Sequence, residues 1–588
     1  MGMVLTFEYR HLFDEERPDV ETLLKDIPSK FVIGILAIIN DTLATKGTHA
    51  GTQLTLLKQL SVNFDSGIRE QVLRRAIPLL SNGWELFVFP STVEFINREV
   101  INFREGPEPG TDYGTDELNI FKALVAIGDE IIQRDLETNK ESIEAAKLGG
   151  NNLIKLMWPH LIRQFEFTSK PDPIFETHKG LAFMSFISNH PKFSELASAY
   201  FNSLGCDSGY TYIHKLLGIA VPHLKREVTD DPMDNFYRIK VDEPEPVLES
   251  LVINPREIQG NPDKQFDYLG LKEKPLFKFD RNEYIVPHWD YLYNALFTGL
   301  IFSLYNNSRI KLLYEEADGF ANFKTTVSRE FSEDILFKSI MTKCFSRKYD
   351  TLKFFNDNDS FNPDCYYRHG NNVFIIEFKD YLLSSEVIQS GSYDAIKSAI
   401  DQKFVSYSVE VKGKTKVRNK GVYQLARNIE LLNTNQDLFW SIDEKARSSK
   451  LKLRNMVIHP VIVQTSFYFD FPGINEYLND KIQDRLNPIR NTFRKVAPFV
   501  MINFHYFLER LLLFADSKID LHEELEYYQN TITKCKVKAR RSMDVNDWLQ
   551  TMLPFGFINS VEYRKHYFYR RKEVLSELYQ CWKIPTGS

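Results

Sequence analysis

A two-residue turn between two strand-like runs is the feature that most constrains the fold of this chain. In the segment NPDCYYRHGNNVFIIEFKDYLL (residues 362–383), Gly370 and Asn371 separate two short runs that favour β-structure. Glycine at the first central position is typical of a type II′ turn, which joins neighbouring antiparallel strands. The pattern therefore predicts a β-hairpin in which His369 pairs with Asn372.

The register of this hairpin decides which polar side chains meet. Counting outward from the turn places Asp364 directly opposite Glu377, on the same face of the hairpin. Because side chains alternate along a strand, Lys379 shares the face of Glu377. If the turn lay one residue later, Asp364 would face Lys379 instead, and the three side chains would still share a face. A three-residue turn with a bulge would change the register.

Two opposed carboxylates beside an amine predict a particular chemistry. The carboxylates of Asp364 and Glu377 repel each other unless a cation lies between them. Hard oxygen ligands with room for water suit Mg²⁺ or Mn²⁺. The Lys379 ammonium can hold a water or a phosphate oxygen in line for attack. We therefore expect hydrolysis of phosphodiester bonds, in which a metal stabilises the charge of the transition state.

This arrangement resembles the PD-(D/E)XK nuclease superfamily. The matching residues are Pro363-Asp364, followed by Glu377-Phe378-Lys379 at the end of an apolar strand. The resemblance implies an α/β restriction-endonuclease-like core with a mixed sheet. It also implies that Asp364 and Glu377 bind the divalent metal and that Lys379 assists the attacking water.

The resemblance extends to the flanking segments. The family has an acidic residue on the helix before the first strand, and Glu333 falls there, with Glu330 as a second candidate. The family often has a helix after the motif, and KGVYQLARNIELL places Lys420 and Gln424 four residues apart on one helical face. The strand MVIHPVIVQTS would then complete the sheet. Glu333 and Gln424 are therefore expected to join the catalytic residues.

A basic segment follows the hairpin and is expected to form a surface loop. It is either a solvated loop or a clamp for the phosphate backbone of a nucleic acid. A second Glu-x-Lys motif begins at Glu410, but no Pro-Asp hairpin precedes it, so a strand edge leading into the loop is favoured there. The expected nucleic-acid-binding residues are Lys412, Lys414, Lys416, Arg418 and Lys420.

Basic residues also cluster in KCKVKARR (534–541), and basic and aromatic residues interleave in the later segment EYRKHYFYRRK (562–572). Such a pattern suits single-stranded or distorted nucleic acid, because rings stack on bases while cations meet phosphates. The same aromatic residues can pack a terminal helix, and we favour that interpretation.

The 588 residues divide into four segments by composition and periodicity. Residues 1–235 show helical spacing of apolar residues, and residues 236–318 form a linker and an α/β connecting region. Residues 319–470 alternate helix and strand and hold the nuclease-like core, and residues 471–588 are again helical. The predicted fold is therefore multidomain α+β, with mainly helical regions flanking the core.

Composition excludes several classes of protein. The net charge of −6 is not that of a globally basic nucleic-acid coat, so any nucleic-acid contact needs local basic patches. The cysteines are odd in number and scattered, which argues against disulfides and a structural zinc site. The longest apolar runs are shorter than the ~20 residues that span a bilayer. A cytoplasmic protein without a membrane partner is expected.

The sequence thus predicts a magnesium-dependent nuclease acting on DNA or RNA, with DNA favoured by the resemblance. Large nucleases with a helical partner region resemble those of bacterial antiphage defence, and only analogy supports that role. One alternative is a catalytically inactive nucleic-acid-binding protein. Another is an interaction scaffold whose helical N-terminal region binds a protein partner or a second copy.

Overall fold

The structure is a computed structural model that describes residues 5–106, 113–146, 152–168, 172–227, 229, 236–258, 266–314, 319–355, 361–411, 414–433, 435–542, 545–558 and 560–585. The chain divides into two units. Unit 1 is built from residues 1–143 and 166–320, and unit 2 from residues 144–165 and 321–586. The predicted nuclease-like segment, 319–470, and the predicted helical segment, 471–588, lie almost wholly in unit 2.

Unit 1 consists mainly of helices. They begin at ordinary capping residues, such as Asp65, whose carboxylate accepts hydrogen bonds from the backbone N–H groups of Gly67 and Ile68. In chain order the helices are α1 (Val20–Leu24), α2 (Ser29–Lys46), α3 (Ala50–Leu60), α4 (Ser66–Ser81), α5 (Phe89–Ile101), α6 (Tyr113–Thr138), α7 (Lys140–Ala146), α9 (Pro173–Asn189), α10 (Ser194–Ser203), α11 (Gly209–Lys225), α12 (Pro246–Ser250), α13 (Pro255–Ile258), α14 (Leu269–Glu273), α15 (Trp289–Asn294) and α16 (Thr298–Asn307). The unit boundary at 143 falls within α7, and the boundary at 165 falls near the end of α8 (Asn152–Thr168), most of which belongs to unit 2.

Short strands complete unit 1. They are β1 (Leu5–Thr6), β2 (Trp84–Glu85), β3 (Arg238–Lys240), β4 (Phe277–Asp280) and β5 (Glu283–Ile285). The strands β3, β5 and β4 form an antiparallel sheet in that order, and β4 and β5 form a hairpin that turns at Arg281 and Asn282. The linker predicted within residues 236–318 contains a strand, because Arg238–Lys240 pairs with β5. Ile239 of this strand is buried, which gives the polar segment an apolar contact with the rest of the unit.

Unit 2 contains a larger sheet and the remaining helices. Its helices are α17 (Gly319–Thr326), a π-helical segment (Val327–Phe337), α18 (Lys338–Cys344), α19 (Ser385–Ser390), α20 (Tyr393–Phe404), α21 (Gly421–Asn433), α22 (Gln436–Ile442), α23 (Glu444–Ser448), α24 (Ile474–Leu486), α25 (His505–Glu509), α26 (Leu511–Ala515), α27 (Leu521–Ala539), α28 (Val545–Gln550), α29 (Phe555–Ile558) and α30 (Ser560–Cys581). Its strands are β6 (Thr351–Lys353), β7 (Cys365–His369), β8 (Asn372–Lys379), β9 (Ser406–Val411), β10 (Lys414–Asn419), β11 (Val457–Gln464), β12 (Lys495–Val496) and β13 (Val500–Asn503).

The main sheet of unit 2 is mixed. Its strand order is β12-β11-β8-β7-β6, and β13 also pairs with β11. The strands β6, β7 and β8 form an antiparallel meander, whereas β8, β12 and β13 are all parallel to β11. The chain is therefore a multidomain protein of the mixed α+β class, and the strand predicted from MVIHPVIVQTS completes the sheet beside β8.

Both faces of the main sheet are covered. On one face, Ile375 of β8 and Ile462 of β11 belong to an apolar core that includes Leu425 of α21. On the other face, Phe374 stacks on His459 with ring centroids 4.7 Å apart. A polar side chain at the end of β8 therefore lies at the edge of a well-packed sheet.

The C-terminal segment differs from the prediction of helix alone. Residues 471–588 are mainly helical, but Val500–Asn503 and Lys495–Val496 add two strands to the main sheet. The run VMIN is too short to show a period, and pairing with a distant strand decides its conformation. Within the described ranges, no helix is long and apolar enough to cross a bilayer.

Candidate active site

The hairpin of β7 and β8 has the predicted register. His369 pairs with Asn372, and the ladder runs to Cys365 opposite Ile376. Gly370 has a φ of +57°, which a type II′ turn requires at its first central position. The next residue outward on β7 is Asp364, so its backbone reaches the position facing Glu377.

The structure brings Asp364, Glu377 and Lys379 together. The Lys379 ammonium donates to Glu377 Oε2 at 2.8 Å and lies 3.5 Å from Asp364 Oδ2. Asp364 Oδ2 also accepts a hydrogen bond of 2.6 Å from the backbone N–H of Phe378. The three groups form one cluster, which is called the acid–lysine cluster below.

The cluster is buried on one side and open at Asp364. The side chain of Asp364 is 21% exposed, whereas Glu377 is 1% exposed. Glu377 Oε1 is buried and has no hydrogen-bond partner among the described residues. A buried carboxylate oxygen without a donor is costly, so this position is suited to a group that brings positive charge or a proton.

Burial and the neighbouring acid shift the titration of the cluster. Burial, together with repulsion from Asp364, raises the pKa of Glu377 to about 8, and Lys379 opposes the shift. Burial acts to lower the pKa of Lys379, but Asp364 and Glu377 outweigh it and raise that pKa. Lys379 is therefore charged near neutral pH, whereas Glu377 is largely protonated there.

Glu333 lies within electrostatic reach of the cluster. It belongs to the π-helical segment, and its side chain is 25% exposed. Burial raises the pKa of Glu333 to about 7, and the charge of Asp364 adds to the shift. Local π-helical geometry is common at functional sites, because it re-aims side chains within a helix. Glu330, the second candidate, is exposed on the same segment.

A buried aspartate fixes the π-helical segment to the end of β8. Asp380 accepts hydrogen bonds of 2.7 Å from the hydroxyls of Ser332 and Thr465 and is paired with Lys324. Burial works against ionisation, but Lys324 and the hydroxyls hold the pKa of Asp380 below its ordinary value. Because Ser332 precedes Glu333 in the chain, this anchor places Glu333 near Asp364.

The residues predicted on the following helix are placed differently. Helix α21 begins at Gly421, so Lys420 precedes the helix and the argument from a shared helical face is wrong for it. Gly421 has a φ of +45°, and a Cβ there would lie 2.4 Å from the carbonyl oxygen of Phe404. Gln424 Oε1 accepts a hydrogen bond of 2.8 Å from the backbone N–H of Gly421, which caps its own helix.

The expected basic loop is mostly strand. Residues 406–411 and 414–419 form the antiparallel pair β9 and β10, because cross-strand pairing satisfies a backbone that was predicted to be irregular. Lys416 and Arg418 are exposed on β10. Lys412 lies outside the described residues, as do the side chains of Lys414 and Glu410, although the backbones of the last two belong to β10 and β9.

The basic C-terminal helix has its charges partly paired. On α27, Lys536 lies 3.4 Å from Glu476, and Lys538 lies 2.7 Å from Asp547. In the second basic stretch, the side chains of residues 562–569 lie outside the described residues. Two of the basic side chains in the first stretch are therefore paired with acidic residues.

Two buried amides beside the cluster were not predicted. Gln464 ends β11 in register with Lys379, and Asn503 ends β13 in register with Gln464. Registered residues of parallel strands point to the same face, so the amides continue the row of Lys379 across the sheet. Gln464 is 1% exposed, and neither polar atom of its side chain has a partner among the described residues. The sequence signal was a polar residue at the end of each apolar strand.

Within the described residues, no group of three or more His, Cys, Asp or Glu side chains has metal-binding geometry. Comparisons of the chain with known protein families, with curated proteins and with solved structures find no match. The geometry of the acid–lysine cluster and of the residues around it therefore indicates what this protein can do chemically.

Proposed function

We propose that this protein is a metal-dependent nuclease that hydrolyses phosphodiester bonds of nucleic acids, with DNA favoured over RNA. The observation that carries the proposal is the acid–lysine cluster: Asp364, Glu377 and Lys379 meet at the end of one hairpin, and Glu377 Oε1 has no partner among the described residues. A cluster that served stability alone would have its buried oxygens satisfied.

The arrangement of the surrounding elements supports a core of the PD-(D/E)XK type. A helix (residues 319–344) precedes the antiparallel meander of β6, β7 and β8, and helices then lead to β11, which is parallel to β8. The resemblance seen in the sequence implies this order of helix, aspartate hairpin, Glu-x-Lys strand, helix and final strand. The cluster lies at the carboxyl end of β8, where the side chain of Asp364 is partly exposed.

The donor set fits a hard divalent cation. Asp364 offers a partly exposed carboxylate, and Glu377 offers a buried oxygen without a partner among the described residues. Magnesium is usually held by one or two carboxylates, with water and substrate phosphates completing the octahedron, so a larger group of protein ligands is not needed. Asp364 and Glu377 would hold Mg²⁺ or Mn²⁺. When bound, the cation supplies positive charge for the transition state of phosphoryl transfer.

The remaining groups hold water and substrate. The Lys379 ammonium has three donors, and its contacts with Glu377 and Asp364 leave one to orient a water toward the phosphorus. Glu333, with its pKa raised to about 7, is able to accept a proton from that water near neutral pH. Lys416 and Arg418 expose positive charge that suits the phosphate backbone.

A cleavage panel tests the proposal. Purified protein would be incubated with plasmid, linear duplex, single-stranded DNA and RNA, each with Mg²⁺ or with EDTA. We expect cleavage of at least one substrate with Mg²⁺, and its loss in Glu377→Ala and Lys379→Ala. Glu430→Ala is the matched control, because Glu430 is exposed on α21 and touches none of these groups.

Each result of the panel has a distinct meaning. Cleavage that persists unchanged in both cluster variants would overturn the assignment. Nucleic-acid binding in EDTA without cleavage under any condition would indicate an inactive nucleic-acid-binding protein. No affinity for any of the four substrates, together with a co-purifying partner, would indicate an interaction scaffold.

A further inference from the structure

Two lysines share one aromatic ring near the acid–lysine cluster. The ammonium groups of Lys403 and Lys420 each lie 5.4 Å from the ring centroid of Tyr381. Lys420 also lies 4.6 Å from the ring centroid of Tyr407. Aromatic faces attract cations, so two rings partly compensate two like charges placed close together.

These lysines have no acidic partner among the described residues. Neither ammonium forms an ion pair or a hydrogen bond with a described carboxylate, although both side chains are half-buried. Lys397, on the same helix as Lys403, instead pairs with Asp401 at 3.2 Å. Burial, with repulsion from Lys420, lowers the pKa of Lys403. Burial and mutual repulsion both disfavour two cations that have no anion beside them. A bound anion would offset both effects.

Rigid elements hold this pair in place. Lys403 lies in the last turn of α20, and Lys420 precedes α21, where its backbone N–H donates to the carbonyl oxygen of Val405 at 2.8 Å. The ring of Tyr381 packs edge-on against Phe404 with centroids 5.6 Å apart. The backbone that carries the two ammonium groups is therefore fixed by α20, by the start of α21 and by this hydrogen bond.

The pair is also close to the proposed reaction centre. Tyr381 follows Lys379, the last residue of β8, by two positions in the chain. Tyr381 therefore joins the strand end that carries the acid–lysine cluster to the lysine pair that its ring contacts.

We propose that Lys403, Lys420 and Tyr381 form a binding site for a backbone phosphate of the nucleic acid, adjacent to the phosphate that is cut. The two ammonium groups bind the phosphate oxygens, and the Tyr381 ring holds the ammonium groups in position. This inference rests on the proposed nuclease function. It adds Lys403 and Tyr381 to the substrate-binding residues and assigns Lys420 to a specific role.

Binding measurements over a salt series test the site. The probe is a short fluorescein-labelled DNA, duplex or single-stranded, in EDTA so that no cleavage occurs, and the readout is fluorescence anisotropy. We expect Lys403→Met and Lys420→Met each to weaken binding several-fold. Each should also reduce the slope of log K against log salt by ~0.7–0.9, the loss expected for one phosphate contact.

Matched variants separate charge from folding. Lys397→Met removes one positive charge from the same helix and should leave affinity and slope unchanged, because Lys397 is paired with Asp401. Lys403→Arg and Lys420→Arg keep the charge and should retain the wild-type slope. Unchanged binding in both Met variants, or equal losses in Lys397→Met, would overturn the phosphate site.

The outcome for the phosphate site is distinguishable from that for the nuclease. Wild-type protein that binds DNA through this lysine pair but never cuts would refute the nuclease and leave the site intact. Wild-type cleavage with unaltered binding in the Met variants would refute the site alone. Wild-type protein without affinity for either probe would refute both.

Discussion

Two buried charged clusters lie on one face of the β7–β8 hairpin, at its opposite ends. Near the turn, Arg368 pairs with Asp443, which is 0% exposed on its side chain. Both oxygens of Asp443 are occupied, by Arg368, by the hydroxyls of Thr351 and Tyr366, and by the backbone N–H of Ala446. At the open end, the acid–lysine cluster leaves Glu377 Oε1 without a partner among the described residues.

The clusters also differ in the direction in which the pKa of the buried acid is shifted, for Asp443 in one and Glu377 in the other. Burial acts to raise the pKa of Asp443, but Arg368 and the backbone N–H of Ala446 outweigh it and lower that pKa. The pKa of Glu377 rises to about 8, because burial and Asp364 outweigh Lys379. Burial of charge is common to both clusters, so it does not indicate function. An acceptor left without a donor is what distinguishes the candidate site.

The largest effect expected from this comparison is on activity. Glu377→Gln keeps the shape of the side chain but cannot ionise to bind a cation, so Mg²⁺-dependent cleavage should fall by ~10²-fold. Stability should change little, because Glu377 is already largely protonated near neutral pH at a pKa of about 8. Initial cleavage rates and urea midpoints on the same preparations measure both. A large loss of stability with full activity would reverse the roles given to the two clusters.

Asp443→Asn should produce the opposite outcome. Removing the charge leaves Arg368 buried and unpaired, which costs ~3–5 kcal/mol of unfolding free energy when a buried pair is broken. Urea denaturation followed by circular dichroism measures the loss. Glu444→Gln, an exposed change on α23, serves as the control. If Asp443→Asn were as stable as the wild type, a carboxylate whose oxygens all accept hydrogen bonds would not indicate a structural role.

Gln464→Met tests whether a buried amide without a partner among the described residues destabilises the fold. Replacing this amide should raise the free energy of unfolding by ~1 kcal/mol, because an unsatisfied polar group is removed from the interior. Gln53 is the matched control, since it is 0% exposed and its Oε1 accepts from the N–H groups of Leu86 and Phe87. Gln53→Met should lower stability by ~1–3 kcal/mol. A loss in both variants would indicate that Gln464 has a structural partner.

The smallest effect concerns acid pH. Because folding lowers the pKa of Asp443, its contribution to stability is complete above the unfolded value of ~3.9 and is lost as pH falls through the folded value. The stability difference between wild type and Asp443→Asn should therefore be constant from neutral pH to about pH 4 and shrink below it. Urea titrations across that range measure the difference. A difference that grows at low pH would contradict the lowered pKa.

Local patterns in the sequence were enough to predict the hairpin and the acid–lysine cluster. The turn at Gly370 fixes the register, and the register alone brings Asp364 to Glu377. Neither step needs a contact distant in the sequence. The helical character of residues 1–235 follows in the same way from local periodicity.

What the sequence did not predict depends on distant pairing. Gln464 joins the row of Lys379 only because β11 lies parallel to β8, and Asn503 joins only because a short strand forms within a mainly helical segment. Lys403 meets Lys420 through the packing of Tyr381, which no spacing reveals. Lys420 was misplaced on a helix because the left-handed backbone at Gly421 starts that helix one residue later.

The hydrogen bond from the backbone of Phe378 to Asp364 carries a practical consequence. In a longer β7, a main-chain carbonyl would receive that N–H, so the carboxylate substitutes for a rung of the ladder where the strand stops. Truncating Asp364 to alanine would fray the same segment that carries Glu377 and Lys379, and lost cleavage would then have two indistinguishable causes. Asparagine preserves the acceptor, so it is the replacement with which ligand chemistry at this position can be judged separately from strand integrity.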